Sequence, residues 1–436
     1  MKAILFDGSQ SNDKTGVRVR TSLTAQLQAQ GWEVEHIALC DKKIGNCAGD
    51  FFCWIRTPGV CNVDDDNRVF AAAIIASDLM VYLTPVTFGG YSSTLKKMVD
   101  HQIQNISPFF TQVEGETHHQ KRYQKHPDLM VIGWMDTPDA RAETVFRHLA
   151  HRNALNYHAE KSVSGVVLAS HSDTELQVSV QKWLNDLQGG RKSQRLELSG
   201  GNVAGIGAVE IQRALLLVGS PKTRKSTSNS LGGHLFEQMS AHSIQTETIY
   251  LHTVLRSQEK MQALFDAVDT ADLVTLAFPL YVDTLPAPVI EALERIAVQR
   301  QGRDRTHRQL FTAIGNCGFP EAQHNVNALA VCETFARQAG FEWAGSLSLG
   351  GGEMIAGVPL AQLGGMTIMM RKALELAAEA LAQGESIPQA AQEILGKPVI
   401  PHWVYRLTGW LRWNKQSKGY GAKQLLKRKP YLAKVS

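Results

Sequence analysis

The sequence predicts an α/β protein: two tandem doubly wound domains, each a five-stranded parallel sheet with helices on both faces, followed by a basic C-terminal tail. Three observations predict it. The chain has 436 residues, more than one ordinary domain holds. Apolar strand-like runs alternate with helical runs, the pattern of a parallel sheet covered on both faces. The whole alternation then occurs a second time, at domain size. A composition of 44% hydrophobic and 20% charged residues suits two buried cores and excludes a disordered chain, a collagen or a disulfide miniprotein.

Each copy opens with an apolar strand and a glycine-serine turn: Ala3-Ile4-Leu5-Phe6 before Gly8-Ser9-Gln10, and Ala214 to Val218 before Gly219-Ser220-Pro221. A helical stretch and an alternating strand follow, Trp32 to Ile37 in one copy and Gln245 to Tyr250 in the other. Next come buried-strand runs that begin with an aspartate and end at a proline, Asp78 to Pro85 and Asp272 to Pro279. The first copy continues with strand Leu129 to Met135, helix Arg141 to Leu155, strand Ser162 to Ala169 and helix Thr174 to Leu187. In the second, strand Gln309 to Ile314, helix His324 to Ala339, strand Phe341 to Leu349 and helix Met366 to Ala382 correspond. The predicted organisation is therefore a first domain over 1–189, a linker over 190–212, a second domain over 213–396 and a tail over 397–436.

Charge and cysteine usage narrow the class. The formal charge of +4 hides an asymmetry, because residues 397–436 hold ten Lys or Arg and no Asp or Glu, which leaves 4 − 10 = −6 for the rest. Any basic surface is thus local, and nucleic acid is not an expected partner. Six cysteines (Cys40, Cys47, Cys53, Cys61, Cys317 and Cys332) are too sparse for a disulfide framework. The opening Met1 to Phe6 run is too short for a signal peptide, and no run reaches the length of a membrane helix. A cytoplasmic protein is expected.

In an open parallel sheet, ligands lie beyond the carboxyl ends of the strands, where the strand order reverses. The loop after the first strand of the second copy, Gly219 to Ser230, sets hydroxyls and three cations ahead of a helix N-terminus. Unpaired amides at a helix start favour an anion, so a phosphate fits; the alternative is a loop that only caps its helix. Neither copy carries G-x-G-x-x-G or a Walker lysine. Hydroxyls in place of glycines suit a terminal monoester phosphate, and flavin mononucleotide (FMN) is such a ligand. In the first copy the corresponding loop has fewer hydroxyls and an aspartate, Asp13, that repels phosphate or orients Thr15. Its loop after the third strand, Thr84 to Lys96, has Gly89 and Gly90 for close backbone approach and Phe88 and Tyr91 as apolar walls; the alternative is a turn whose aromatics cover the core.

The stretch Ile44 to Cys61, followed by Asp64-Asp65-Asp66, resembles the cysteine segment of the NAD(P)H-dependent FMN reductases and iron–sulfur flavoproteins, which are flavodoxin-like. The Thr84 to Lys96 loop with Asp100 is similar to that family's second flavin loop. Gly219-Ser220-Pro221, Phe278 to Pro288 and Gly315 to Glu321 carry the resemblance into the second copy. The resemblance implies non-covalent FMN, with Ser9 and Thr15 serving a phosphate in the first copy and Ser220, Ser226, Thr227 and Ser228 in the second. Implied ring contacts are Pro85, Thr87, Phe88, Gly89 and Gly90, then Pro279, Leu280, Tyr281, Asn316, Cys317 and Gly318. The flavin would supply the redox chemistry, so no catalytic acid or base is named.

One departure from the family pattern matters. Asp50 stands where the second cysteine of an iron–sulfur motif belongs, leaving Cys47, Asp50, Cys53 and Cys61. Clusters are normally held by four thiolates, and a carboxylate is a poorer match to cluster iron, so this arithmetic argues against a cluster and equally against zinc. The cysteines are expected to pack as small hydrophobes at a dimer or domain contact. His118, His119 and His126 are read as a solvated loop, and His148 and His151 as surface residues. The tail mixes Trp403, Tyr405, Trp410 and Trp413 with cations. Its aromatic face is expected to pack on the second domain, with Gly409 and Gly419 interrupting any helix; a membrane surface or an acidic partner is the alternative.

The function expected is an oxidoreductase that uses FMN to pass electrons from NAD(P)H to a small acceptor such as flavin, a quinone or a redox protein, and the resemblance implies an oligomer such as a homodimer. The alternatives are a flavin electron-transfer protein without an NAD(P)H site, and a tandem scaffold with one dead flavin site.

Overall fold

A computed structural model describes residues 1–198, 209–302 and 307–432. Part of the expected linker, 199–208, lies outside the described residues. The chain forms two compact units, one of Met1–Glu197 with Trp403–Ser436, the other of Leu198–His402.

The first unit runs β1 (Lys2–Asp7), α1 (Lys14–Ala29), β2 (Glu33–Ala38), α2 (Phe52–Ile55), α3 (Asp66–Ile75), β3 (Leu79–Pro85) and α4 (Ser93–Asp100). There follow β4 (Ile106–Val113), β5 (Glu116–Lys121), β6 (Asp128–Met135), α5 (Ala140–Asn156), β7 (Ser162–Leu168) and α6 (Asp173–Gln188). Five strands make a parallel sheet in the order β2-β1-β3-β6-β7. Alternate residues set its two faces. Ala3, Leu5, Val81, Leu83, Met130 and Ile132 bury against Val19, Leu23 and Leu27 of α1 and Leu176, Val180 and Leu184 of α6. On the other face Phe6 meets Phe70 of α3, edge to ring at 5.5 Å.

The second unit repeats the order: β8 (Arg213–Val218), α7 (Thr227–Ala241), β9 (Gln245–Tyr250), α8 (Leu251–Val254), α9 (Gln258–Thr270), β10 (Leu273–Pro279) and α10 (Ala287–Arg300). Then come β11 (Leu310–Asn316), α11 (Val326–Ala339), β12 (Glu342–Leu349), α12 (Ile368–Ala382) and α13 (Gln389–Gly396). Its parallel sheet runs β9-β8-β10-β11-β12, the same winding. Leu216 and Val218 bury against Leu231, Leu235 and Met239 of α7, and Leu374 and Leu381 of α12 complete that layer.

The repeated aspartates act alike. Asp78 Oδ2 accepts from Lys2 N at 2.9 Å, and Asp272 Oδ2 from Arg213 N at 2.8 Å, so each pins the first amide of its neighbouring strand. In both sheets the order reverses beside the first strand, between β1 and β3 and between β8 and β10. This is the flavodoxin-like topology, and the ligand crevice belongs there.

Two features differ from the sequence reading. The polar stretch read as a solvated loop is an antiparallel hairpin, β4–β5, in which Thr111 pairs with His118. The tail does not pack its aromatics on the second domain. It forms helix α14 (His402–Gly419), which runs through Gly409 and packs on the first unit. Trp413 lies edge-on to Phe51 and Trp54, each at 5.5 Å, and Tyr405 meets Phe110 at 5.1 Å. Gly409 is the close approach: a Cβ there would lie 2.5 Å from the Phe110 ring. The glycine that reads as a helix breaker is thus the residue that lets the helix dock. Beyond α14, Arg122 Nη1 donates to the carbonyls of Leu426 and Arg428, and Tyr431 stacks on Tyr123.

Candidate functional site

The carboxyl edge of the second sheet gathers most of the residues singled out there. Ser226 is the N-cap of α7: its Oγ accepts from Asn229 N at 3.1 Å and donates to the Thr223 carbonyl at 2.6 Å. Ser220 Oγ accepts from Lys222 N at 3.3 Å, which curls the loop back on itself. Lys222, Arg224 and Lys225 stand exposed around it. Asn316, at the end of β11, donates through Nδ2 to the Phe278 carbonyl and to Ser228 Oγ, at 2.8 and 2.9 Å. One buried amide therefore ties β10, β11 and α7 together. Leu280 N donates to the Asn316 carbonyl at 2.8 Å and sets the start of the next loop. Cys317 is buried, its Sγ turned to the carbonyls of Phe319 and Glu321, each at 3.4 Å, while Gly318 lies half-buried beside it.

The sequence reading missed the loop after β12. Thr227 Oγ1 donates to the Gly352 carbonyl at 2.7 Å, and a Cβ on Gly357, whose φ is +80°, would lie 2.3 Å from the Lys225 carbonyl carbon. This loop lies directly across the phosphate-type loop. The run Gly350-Gly351-Gly352 was the signal available for it.

The two copies share one turn after their third strands. Thr87 and Gly90 exchange backbone hydrogen bonds, as do Tyr281 and Thr284. The central residues have positive φ in both: Phe88 (53°) and Gly89 (82°), Val282 (44°) and Asp283 (62°). This is the geometry of a type I′ turn, and a β-branched valine in the left-handed region is a strained choice. The turns differ in surroundings. Phe88, Gly89 and Gly90 are buried, and a Cβ on Gly89 would lie 2.8 Å from Val145 Cβ of α5. Pro85 and Thr87 remain half-buried; in the second unit Pro279, Leu280, Tyr281 and Val282 are half-exposed at the sheet edge.

At the first unit's switch point the phosphate-type loop is acidic. Ser9 Oγ and N both bond Asp7 Oδ1, at 2.6 and 2.9 Å, and Asp7 Oδ2 accepts from Arg20 at 2.9 Å. Burial alone would raise the Asp7 carboxyl, but hydrogen bonds from His36, Ser9 and Arg20 outweigh it and hold the group below the usual carboxylate range. Asp13 caps α1, accepting from Gly16 N at 2.9 Å and from Trp134 Nε1 at 2.8 Å. A carboxylate thus stands at the start of α1, with Thr15 half-buried just inside it. The second unit's loop thus offers hydroxyls and cations, and the first unit's offers two carboxylates.

The cysteine segment lies under the tail. Cys61 is buried with its Sγ 3.4 Å from His101 Nδ1, whereas Asp50 is exposed and its Oδ1 accepts from Phe52 N at 3.0 Å. Burial, then the Asp100 carboxylate, pushes the Cys47 thiol up to about 12. Burial, then Cys47 and Cys61, raises Cys53 as well. Among the described residues no three His, Cys, Asp or Glu side chains are grouped so as to hold a metal ion.

The histidines are corrections. His118, His126, His148 and His151 are buried. His118 Nδ1 meets Asn156 Oδ1 at 2.8 Å, and His151 Nδ1 meets the Ser193 carbonyl at 2.9 Å. The ring of His119 lies between Trp54 and Phe110.

Residues 1–155 match the sequence profile of the NADPH-dependent FMN reductases. An iron–sulfur flavoprotein of Methanocaldococcus jannaschii is 34% identical over 101 residues, 23% of this chain. The match spans about half, 51%, of that relative's length. Solved structures similar to this chain include an FMN-dependent NADH-azoreductase from Bacillus anthracis (15% identity, 39% of this chain and 99% of that one, TM-score 0.29). Another is an NAD(P)H:quinone oxidoreductase from Methanothermobacter marburgensis (15% identity, 40% of this chain and 98% of that one, TM-score 0.29). Neither of these two carries weight about activity at such scores; the fold rests on the chain's own two sheets. The likeness to the NADPH-dependent FMN reductases is thus carried by residues 1–155.

Proposed function

We propose that this protein is an FMN-dependent oxidoreductase that takes electrons from NAD(P)H and passes them to a small acceptor, with its flavin held by the second unit. The observation that carries the reading is the contrast between the two switch points. In the second unit Ser220, Ser226 and Thr227 line a loop that leads into a helix start, among Lys222, Arg224 and Lys225; in the first, the carboxylates Asp7 and Asp13 flank the corresponding loop.

Bound FMN supplies hydride and electron transfer; the protein binds and orients it. Ser220 and Ser226 shape the loop, whose backbone amides and three neighbouring cations would hold the phosphate. The turn Tyr281–Thr284, half-exposed at Tyr281 and Val282, offers an edge for the ring, and Asn316 fixes the start of that loop against α7.

The test is flavin content per chain together with NADPH consumption. The purified protein is expected to carry one FMN and to consume NADPH when an acceptor is added. Arg224→Glu with Lys225→Glu reverses exposed charges and is expected to weaken FMN binding at least tenfold. Asp13→Ala is expected to leave flavin content unchanged while lowering stability by about 2 kcal/mol, through the lost cap and the stranded Trp134 Nε1. Flavin retained in the charge-reversed variant would move the site to the first unit. Flavin without NADPH consumption would leave an electron-transfer protein.

A further inference from the structure

Helix α14 carries two apolar stripes, and the first unit covers only one. Tyr405, Gly409 and Trp413, spaced i, i+4, i+8, face Phe110, Phe51 and Trp54. Trp403, Leu407 and Leu411 have the same spacing but are offset by two residues, about 200° around the helix. With Trp410 they form a second stripe, and it is open: 65% exposed at Trp403, 52% at Leu407, 51% at Trp410 and 53% at Leu411. Packing against the first unit fixes the helix and leaves this stripe facing outward.

Cations border the open stripe. Lys415 and Lys418 follow it along the helix, and Lys423, Lys427, Arg428 and Lys429 continue past its end, all exposed. Residues 397–436 hold ten Lys or Arg without one acidic residue, while the rest of the chain carries 4 − 10 = −6. Such a face suits a partner that offers negative charge at its surface and an apolar phase just beneath. A nucleic acid supplies the first without the second. Tryptophan and leucine lying level with lysine and arginine is the arrangement of a helix resting in the headgroup region. No helix among the described residues is long and apolar enough to cross a membrane, so the contact is one of surface docking.

We infer that α14 docks the protein on anionic lipid surfaces through Trp403, Leu407, Trp410 and Leu411, with the tail cations on the headgroups. This stands independently of which unit holds a flavin. The test is flotation of the full chain with vesicles of phosphatidylcholine alone or mixed with phosphatidylglycerol. The protein is expected to float with the mixed vesicles only, and to be released by added salt. The triple variant Leu407→Ser, Trp410→Ser, Leu411→Ser is expected to lower the bound fraction at least tenfold without moving the thermal unfolding midpoint. Lys415→Glu with Lys418→Glu is expected to weaken binding several-fold, and more strongly at low salt. Failure to float with mixed vesicles would overturn the inference, as would binding unchanged in the triple variant. A wild type that is dimeric by light scattering, a monomeric triple variant and no flotation would make the stripe a contact between two copies of this chain instead.

Discussion

Gly357 shows how a single hydrogen atom at an α-carbon governs the candidate site. Its positive φ and its closeness to the Lys225 carbonyl let the loop after β12 lie flat on the loop after β8. Gly357→Ala is expected to lower unfolding free energy by about 2–3 kcal/mol, from backbone strain plus overpacking, and to reduce flavin content in step. Denaturant melts paired with flavin absorbance would check both. A variant that keeps full stability and full flavin would mean that the two loops move apart freely. At this scale the sequence was half legible. Ser220, Ser226 and Thr227 stood out as hydroxyls, because side-chain chemistry is written in the sequence. Their partners did not, because Thr227 bonds a carbonyl 125 positions away. Asp13 stood out as an anomaly in its loop; that it caps α1 and holds Trp134 depended on β6, which no local pattern announces.

The β4–β5 hairpin is the element that sequence patterning hid. Glu116 to Lys121 is wholly polar, so it has no apolar alternation to mark a strand. Its first half, Glu116 to His118, is buried, and α5 offers it equally polar partners, among them Asn156 to His118 and Arg152 to Glu116. That arrangement has a cost in acid. Burial, then the nearby His118, pushes His119 down to about 3; burial, then His158, does the same for His126. Each holds fewer protons folded than unfolded across the interval from about 6.5 to about 3. Stability is therefore expected to fall as pH drops through that interval, by up to about 1.4 kcal/mol per unit for each histidine. Amide exchange in β4 and β5 against pH is the measurement, and flat protection between pH 7 and about 4 would contradict it. The ten sheet strands, by contrast, fall where the patterning puts them: central strands such as β1, β3, β8 and β10 are apolar runs covered on both faces, and the edge strands β2 and β9 are the alternating ones.

At the scale of the whole molecule, duplication was legible because it repeats chemistry at fixed places: the aspartate before the third strand, the proline after it, the glycine-serine turn after the first. The docking of the tail was not, since it depends on Phe51, Trp54 and Phe110 finding Tyr405 and Trp413 across the length of the chain. Removing residues 403–436 is expected to destabilise the first unit and spare the second. Calorimetry would then show one transition moving down by several degrees while the other stays in place. Two transitions that shift together would mean that the units unfold as one.

Completion of the first unit by Trp403–Ser436 also sets an order of events during synthesis. About 200 residues of the second unit must be translated before the tail appears, on the order of ten to forty seconds at usual elongation rates. Throughout that interval Phe51, Trp54 and Phe110 have no α14, and Tyr123 no Tyr431, to cover them. A nascent chain at this stage offers a sticky aromatic surface beside an otherwise finished sheet, a natural station for a chaperone. Slowing translation within the second unit would lengthen that wait, and the newborn protein would be most prone to aggregate there.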